Sequence, residues 1–467
     1  MGRLSQSWYC LCSLSRVQQT HRWRHAALLI VALVLVVVSR WPFLDAGYGT
    51  SPDAWRVAGA ARRIAETGEY EVSRFPGYPL HEIICSVFWK GGPLALNGLS
   101  AAMSLAAGVA VWLIARRLRC REATLCALAF AATPVVFINS VSSKDYVWAT
   151  AFVLWAVHAA LGRHALRCGV LLGCAIGCRI TSGAMLLPLA MILYAGAEHV
   201  GWRSVLVRFL AAAGLTGSLM FLPVWFRYGA EFFTFYEHAR ADFATILHRG
   251  TIEVWGTLGV AAFVLMAAAT ALFWRREGAR SMPPPANTLF MPAMGVAIVI
   301  CLLAYLALPD MAGYLIPLVP AVLIVAARFA PRVGFQALCL CLLIAPWVEL
   351  RGGKIVAGAI LADRGERIAT MRDVQKFVNL TEEKLPGQNT IVVGAWEPLI
   401  VELFAGQSTH NRYVYLLTPD ELHVLVQNRS PIAYSSETMR GFNYSVHGVD
   451  LAAFGARNVR QLLIGHP

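Results

Sequence analysis

Charged residues are scarce in this chain. Asp, Glu, Lys and Arg make up 14% of its 467 residues, whereas soluble globular proteins carry about 25%. Hydrophobic residues account for 57%, the mean hydropathy is +0.57, and the apolar residues fall in long runs separated by short basic or aromatic segments. This composition excludes a soluble enzyme, a disordered chain and a fibrous protein. The long apolar runs predict a polytopic α-helical membrane protein.

Cysteine offers little chemistry, and none of the 11 cysteines follows Cys341. Most of the cysteines lie inside apolar runs or basic loops. The closely spaced Cys168, Cys174 and Cys178 have no histidine or carboxylate between them. This pattern indicates no metal or redox site. We therefore expect no metal ligands and no certain cofactor, while a requirement for a divalent cation stays open.

The net charge of +13 lies almost wholly in the first 350 residues. There, 28 Lys and Arg face 16 Asp and Glu, whereas the remainder has 12 against 11. The arginines stand at the ends of apolar runs, as the positive-inside rule requires. The basic balance therefore indicates a lipid bilayer as partner and no nucleic acid.

Apolar length and loop charge predict about 11 membrane segments, with the N-terminus cytoplasmic. The first apolar run is interpreted as an anchor, because no small-residue cleavage site follows it. The stretch 169–194 is broken near Arg179 and Gly183. We interpret it as a hairpin of two half-length helices, because a single crossing would place the next arginines outside. The predicted segments are 26–38, 93–115, 123–138, 146–161, both halves of 169–194, 209–226, 252–274, 288–308, 313–327 and 334–350.

Two domains follow from this topology. Residues 1–350 form the membrane module, with a long outer loop at 45–92. In that loop, a helix that begins at Pro52 and ends near Gly68 has one apolar and one arginine-rich face, which predicts that it lies in the membrane interface. Residues 351–467 alternate strand-like runs (390–394, 413–417, 432–435 and 460–464) with helical runs (398–405 and 419–427). This alternation predicts a small soluble α/β domain, largely parallel, on the non-cytoplasmic side.

The predicted outer loops collect polar residues at one end of the molecule. Asp53 follows the first segment, Asp145 lies in the next short outer loop, and Arg179 lies at the tip of the hairpin. Charged groups near membrane depth are costly, so they tend to face a cavity or each other. We expect a polar cavity open to the outer face. Further candidates for substrate binding on that side are Arg56, Tyr78, His81, Glu82, Lys144, Asp310 and Tyr314.

Five segments in order resemble the GT-C superfamily of integral-membrane glycosyltransferases, which includes protein O-mannosyltransferases and lipid A aminoarabinose transferases. The resemblance covers about residues 26–350. In that family an acidic residue follows a short first span, a proline-rich turn comes next, a second acidic residue follows, and a glycine-rich broken helix carries a basic residue. A late Tyr-Leu-x-Pro-x-x-Pro element completes the set, with Gly313 where many members have Arg. The matching segments here are 49–56, 75–79, 143–146, 173–179 and 313–320.

The resemblance implies transfer of a sugar from a polyprenyl-phosphate donor to an acceptor hydroxyl, with inversion and a carboxylate base. It assigns Asp53 as the base, Asp145 as a second catalytic carboxylate and Arg179 as a phosphate ligand. Other interpretations stay open at each position. Asp53 could be a helix N-cap, Asp145 a partner of Lys144, and Arg179 a snorkelling cation.

Two other functions compete with a transferase. A transporter or flippase of lipid-linked sugars would share the apolar segments and the cavity, although we find no internal repeat. A scaffold whose tail does the work would leave the two carboxylates unexplained. The expected location is the bacterial inner membrane, with the C-terminal domain periplasmic or extracellular. The sequence does not identify the sugar, or whether the acceptor is a glycan, a lipid or a protein.

Overall fold

The computed structural model describes residues 27–197 except 29, and 201–229, 242–277 and 288–384. Of the tail it describes residues 387, 389–392, 410–414, 424, 427, 432–434 and 457–458. The described membrane module is helical. Its helices are α1 (Ile30–Phe43), α2 (Pro52–Thr67), α3 (Pro79–Phe88), α4 (Gly92–Arg117), α5 (Ala123–Ala132), α6 (Pro134–Ser140), α7 (Tyr146–Leu161), α8 (Ala165–Cys178), α9 (Leu186–Ala195), α10 (Trp202–Tyr228), α11 (Phe243–Glu277), α12 (Phe290–Ala307), α13 (Leu318–Phe329) and α14 (Arg332–Ile344).

Some of these helices are long enough to span a membrane. Among the described residues, four helices are long and apolar enough to cross a bilayer, or five if the bent pair α5 and α6 is one span. The other apolar helices are shorter. The structure therefore supports an integral membrane protein, and the count of 11 crossings stays a prediction.

The stretch around Arg179 is a hairpin. α8 ends at Cys178, Arg179 is extended, and a 3-10 turn leads into α9. Arg163 and Arg167, at the start of α8, line one crevice with Leu193 and Gly196, at the end of α9. The chain therefore returns to the basic end from which it started, and Arg179 lies at the opposite end, as the loop charges indicated.

Glycines bring α8 close to α10. A methyl group placed on Gly173 would come within 2.4 Å of the Thr216 Cβ, and one on Gly169 would come within 2.4 Å of the Phe209 carbonyl oxygen. Small residues allow helix backbones to approach each other in this way in membrane proteins. The glycine-rich sequence of the hairpin is thus explained by packing.

Three predicted segments needed correction, each time at a proline. The segment 123–138 is two helices bent by 67° before Pro134. The segment expected from Gly313 begins as a helix only at Leu318, after Pro317. The segment 334–350 ends as a helix at Ile344, just before Pro346. Proline lacks the amide hydrogen that a continuing helix requires and clashes with the preceding turn.

The helix predicted in the outer loop is present, and its first turns are buried. α2 begins after its N-cap Ser51 and ends at Gly68, whose φ of 73° suits glycine. Ala54, Trp55 and Val57 are almost fully buried. The first turns of α2 therefore pack inside the protein, and the position of this helix in the membrane interface stays a prediction.

The tail begins with an antiparallel pair, β1 (Val348–Arg351) and β2 (Lys354–Ala357), and continues into α15 (Ala359–Lys384). Four short strands follow: β3 (Thr390–Val392), β4 (Arg412–Val414), β5 (Ile432–Tyr434) and β6 (Arg457–Asn458). They pair in parallel in the order β4-β3-β5-β6. Their parallel pairing agrees with the predicted sheet, and the boundaries of a separate domain stay a prediction. The predicted helices 398–405 and most of 419–427, and the predicted strand 460–464, lie outside the described residues.

Candidate active site

Two carboxylates and two guanidinium groups meet where the loops before α2 and α7 and the tip of the α8–α9 hairpin converge. Arg74 lies between the carboxylates: its Nη1 is 3.2 Å from Asp53 Oδ2, and its Nη2 donates to Asp145 Oδ1 at 2.9 Å. Arg179 Nη1 donates to the other oxygen, Asp145 Oδ2, at 2.6 Å. Of the side chains that the sequence analysis expected at one end of the molecule, Asp145 and Arg179 are therefore in direct contact, and Arg74 links Asp53 to them.

Asp145 is enclosed by its partners. Its side chain has no exposed surface, and both of its oxygens accept hydrogen bonds from arginines. Burial alone would raise the pKa of this carboxyl, but the guanidinium groups of Arg179 and Arg74 outweigh burial and hold the pKa below its usual value. Asp145 is thus an ionised group that holds two cations in place, and none of its oxygens is turned to solvent.

Asp53 is the more accessible carboxylate. It lies in the first turn of α2, where the helix N-terminus favours negative charge. Its side chain is 10% exposed, and its second cationic neighbour, Arg56, is 3.7 Å away and itself 31% exposed. Ser51, not Asp53, is the N-cap, because the Ser51 hydroxyl accepts the Asp53 amide hydrogen. Asp53 is therefore not needed to cap the helix.

Arg74 was missed in the sequence analysis, although it directly precedes the proline-rich turn. Its Nε donates to the Tyr78 hydroxyl at 2.9 Å, and its guanidinium lies 4.4 Å from the centre of the Tyr78 ring. Tyr78 thus supports Arg74 from within the turn. The signal that could have found Arg74 is a lone arginine next to a rigid turn that the family resemblance already placed in the site.

Glu82 and His81 lie behind the site and are fully buried. Glu82 accepts hydrogen bonds from the Tyr70 hydroxyl, the Ser73 amide and hydroxyl, and the Tyr78 amide. It therefore ties together the loop that carries Arg74. The His81 ring packs 4.9 Å from the Trp148 ring. Neither side chain lines the cavity. The sequence analysis expected both to contact the substrate directly, and the structure places both behind the site instead.

Arg179 lies against two aromatic rings and lines a largely apolar cavity. Its guanidinium carbon lies 4.2 Å from the Tyr146 ring centre and 4.9 Å from that of Tyr314. Alanine, valine, methionine, isoleucine and leucine side chains of α7, the hairpin and α12 line the cavity behind it. Cation and aromatic faces attract each other, more strongly away from water. A fixed positive charge thus lies in the wall of a largely apolar cavity.

Lys144 and Asp310 are the remaining polar residues that the sequence analysis expected at the site. Both are half-buried. Burial lowers the pKa of the Lys144 ammonium to about 8, against the opposing effect of the nearby Asp53 and Asp363. Four cations therefore surround the two site carboxylates: Arg56, Arg74, Lys144 and Arg179. These cations suit an anionic ligand.

Gly313 stands where many members of the family that the sequence resembles have Arg. A methyl group there would lie 3.3 Å from the Tyr146 ring that stacks on Arg179. Within the described part of the chain, no three His, Cys, Asp or Glu side chains are grouped so that they could hold a metal ion.

Comparison with solved structures identifies the fold. ArnT from Cupriavidus metallidurans bound to undecaprenyl phosphate matches at a TM-score of 0.60 and 14% identity, over 86% of this chain and 88% of ArnT. Its apo form matches at 0.59 and 14% identity, over 89% and 94%. The oligosaccharyltransferase of Archaeoglobus fulgidus with zinc and sulfate matches at only 0.44 and 13% identity, over 83% and 62%. That likeness is too low to support a conclusion.

No protein-family model and no curated protein sequence matches this chain. The structural match to ArnT nevertheless extends over nearly the whole of both chains. The chain therefore has an ArnT-like fold.

Proposed function

We propose that this chain is a membrane glycosyltransferase that moves a sugar from a polyprenyl-phosphate donor to an acceptor hydroxyl. The fold that it shares with ArnT supports this class of enzyme. ArnT is bound to undecaprenyl phosphate in one of the matching structures, and we infer the same class of lipid phosphate for this chain.

One observation carries the proposal: Arg179 lines a largely apolar cavity together with Tyr146 and Tyr314, and its guanidinium contacts both rings. A lipid phosphate has an apolar tail and a charged head, and this arrangement offers a matching surface to each. Arginine suits the phosphate because its planar donors can contact two oxygens at once. The adjacent carboxylate keeps the guanidinium oriented before the ligand arrives.

In the proposed step, the acceptor hydroxyl oxygen attacks the anomeric carbon of the donor sugar. The bond between that carbon and the phosphate oxygen breaks, and the lipid phosphate leaves with the electron pair. Asp53 takes the hydroxyl proton, and the cations around it stabilise the charge that develops on the phosphate. A single displacement inverts the anomeric centre and forms no sugar–enzyme bond.

The two carboxylates have different roles in this proposal. Asp53 is the base, because it is partly exposed while Asp145 is enclosed by two arginines. Asp145 fixes Arg74 and Arg179 at the phosphate. Tyr314, Arg56, Lys144 and Asp310 would line the donor and acceptor positions, and the site would open to the outer face of the membrane.

Lipid mass spectrometry on cells tests the proposal. Cells with the wild-type protein, with none and with Asp53→Asn are compared. We expect the polyprenyl-phosphate sugar to accumulate in the last two, while an exported glycan, lipid or protein loses one sugar whose mass identifies it. General-base catalysis is worth roughly 10²–10⁴-fold, so purified Asp53→Asn should retain donor binding but lose at least about 10² in turnover.

Glu69→Gln is the matched control, since Glu69 is an exposed carboxylate of the same outer loop whose side chain is 64% exposed. It should turn over like the wild type. Unchanged lipids and glycans in all strains would refute the transferase activity and favour a flippase. A covalent sugar adduct trapped on Asp53 or Asp145 would contradict the single-displacement mechanism. Repeating the assay with a chelator establishes whether a divalent cation takes part.

A further inference from the structure

α15, the first helix of the tail, contacts the loop that leads to Asp53. The Thr50 hydroxyl donates to Asp363 Oδ1 at 2.9 Å, although the two residues are 313 positions apart. Asp363 is ion-paired with Arg367 one turn later, at 2.6 Å between Oδ2 and Nη2. Arg367 in turn donates from Nη1 to the Gly47 carbonyl oxygen at 3.4 Å.

The same arginine also holds the loop that leads to Asp145. Arg367 Nη1 donates to the Val141 carbonyl oxygen at 2.8 Å. The Arg367 side chain is only 1% exposed, so these contacts are made away from solvent. One buried guanidinium thus bonds to the backbones of both carboxylate-bearing loops.

The two loops are also joined to each other. The Ser143 amide donates to the Tyr48 carbonyl oxygen at 3.0 Å, and the Ser143 hydroxyl donates to Asn97 Oδ1 at 2.9 Å. Asn97, from α4, donates to the Gly47 carbonyl oxygen at 2.9 Å. The arrangement therefore has two sides: α4 holds the loops from the membrane module, and α15 holds them from the tail.

Apolar packing keeps α15 in this position. Ile360 is fully buried in a cluster with Phe43 and Phe137. Further along the helix, Val374 and Val378 pack in the same cluster as Trp55 of α2. These contacts fix the helix on both sides of Arg367, so that its guanidinium has little freedom to follow a moving loop.

We propose that α15 is a structural part of the active site and that Arg367 is its positioning residue, setting the separation of Asp53 and Asp145. This inference rests on the proposed function for its catalytic consequence, but the bracing itself does not depend on it. A buried arginine bound to two backbone carbonyl groups holds them more rigidly than apolar packing alone, because each bond is directional. Misplacement of catalytic groups by about 1 Å can cost roughly 10²-fold in rate.

Arg367→Gln in the full-length protein tests this role with two measurements. In the transfer assay we expect kcat to fall by about 10²-fold, with a smaller rise in KM for the polyprenyl-phosphate sugar, because Asp145 on the loosened loop also orients Arg179. In hydrogen–deuterium exchange we expect faster exchange in segments 47–53 and 141–146. Arg367→Lys, which keeps the charge, should recover part of both.

Arg364→Gln is the control, since Arg364 is an exposed arginine on the same helix that donates to the Pro42 carbonyl oxygen instead. It should change neither measurement. Should Arg367→Gln fail to fold, Thr50→Val removes only the link to Asp363 and should loosen segment 47–53. Wild-type kcat and unchanged exchange in Arg367→Gln would overturn the proposal, as would faster exchange throughout the membrane module.

Failure of the proposed function gives a different result. If the wild-type protein transfers no sugar but Arg367→Gln still loosens both segments, the bracing stands and the transferase does not. If the wild type transfers sugar and Arg367→Gln matches it in kcat and exchange, the transferase stands and the positioning role does not.

Discussion

Replacing Asp145 by asparagine should destabilise the protein far more than the same change at Asp53. Asp145 is fully buried between Arg74 and Arg179, at 2.9 and 2.6 Å. Its loss leaves two buried cations short of a counter-charge. Removing one partner of a buried ion pair costs about 3–5 kcal/mol. Asp53 is 10% exposed and its arginine contacts are longer, at 3.2 and 3.7 Å, so its replacement should cost about 1 kcal/mol.

Thermal unfolding in one detergent, followed by tryptophan fluorescence, measures the difference. For a chain of 467 residues, an unfolding entropy of about 2.1 cal/mol/K per residue makes 1 kcal/mol worth about 1 °C in Tm. We therefore expect Asp145→Asn to lower Tm by about 3–5 °C and Asp53→Asn by about 1 °C.

A second substitution tests the cause. In Asp145→Asn, adding Arg179→Met removes an unpaired buried cation, so the double variant should regain part of the lost stability. In the wild-type background, Arg179→Met should destabilise, because it deprives Asp145 of a partner. Equal Tm losses for Asp145→Asn and Asp53→Asn, or additive effects of Asp145→Asn and Arg179→Met, would refute the ion-pair account.

Two further predictions concern charge and packing. Because the Lys144 pKa is near 8, its positive charge is lost as the pH rises through 8. Binding of a polyprenyl phosphodiester should then weaken about tenfold between pH 7 and pH 9, and Lys144→Arg, which stays charged, should remove this dependence in a lipid-binding titration. Gly173→Ala should destabilise by about 1–3 kcal/mol, because its methyl group would lie 2.4 Å from the Thr216 Cβ. Gly214→Ala, on α10 with no atom within 4 Å, should not lower Tm in the same melting experiment.

Regular features of the fold could be predicted from the sequence because they depend on local composition. α7 (Tyr146–Leu161) has the bounds that its apolar length predicted. α2 begins at its proline and ends before Gly68 as expected. The charges on the loops correctly indicated that the chain turns back at Arg179. Pro134 and Pro317 also indicate breaks in the helices, but apolar length by itself does not reveal them.

The site could be predicted only in part. Sidedness was enough to bring Asp53, Asp145 and Arg179 to one end, because loop charge follows from the order of the apolar segments. Sidedness does not specify which charged groups contact each other. Arg74 contacts an aspartate 71 residues later, and no local pattern specifies that distance. The buried positions of His81 and Glu82 were missed for the same reason.

The sequence by itself determined that the chain is a membrane protein and which polar residues lie together at one end, since hydrophobicity and charge are read along the chain. Only the tertiary structure decided that Asp145 is enclosed while Asp53 is accessible, that Arg74 joins them, and that α15 of the tail braces their loops. These are properties of side chains distant in sequence, and they arise where burial makes each charge require a partner.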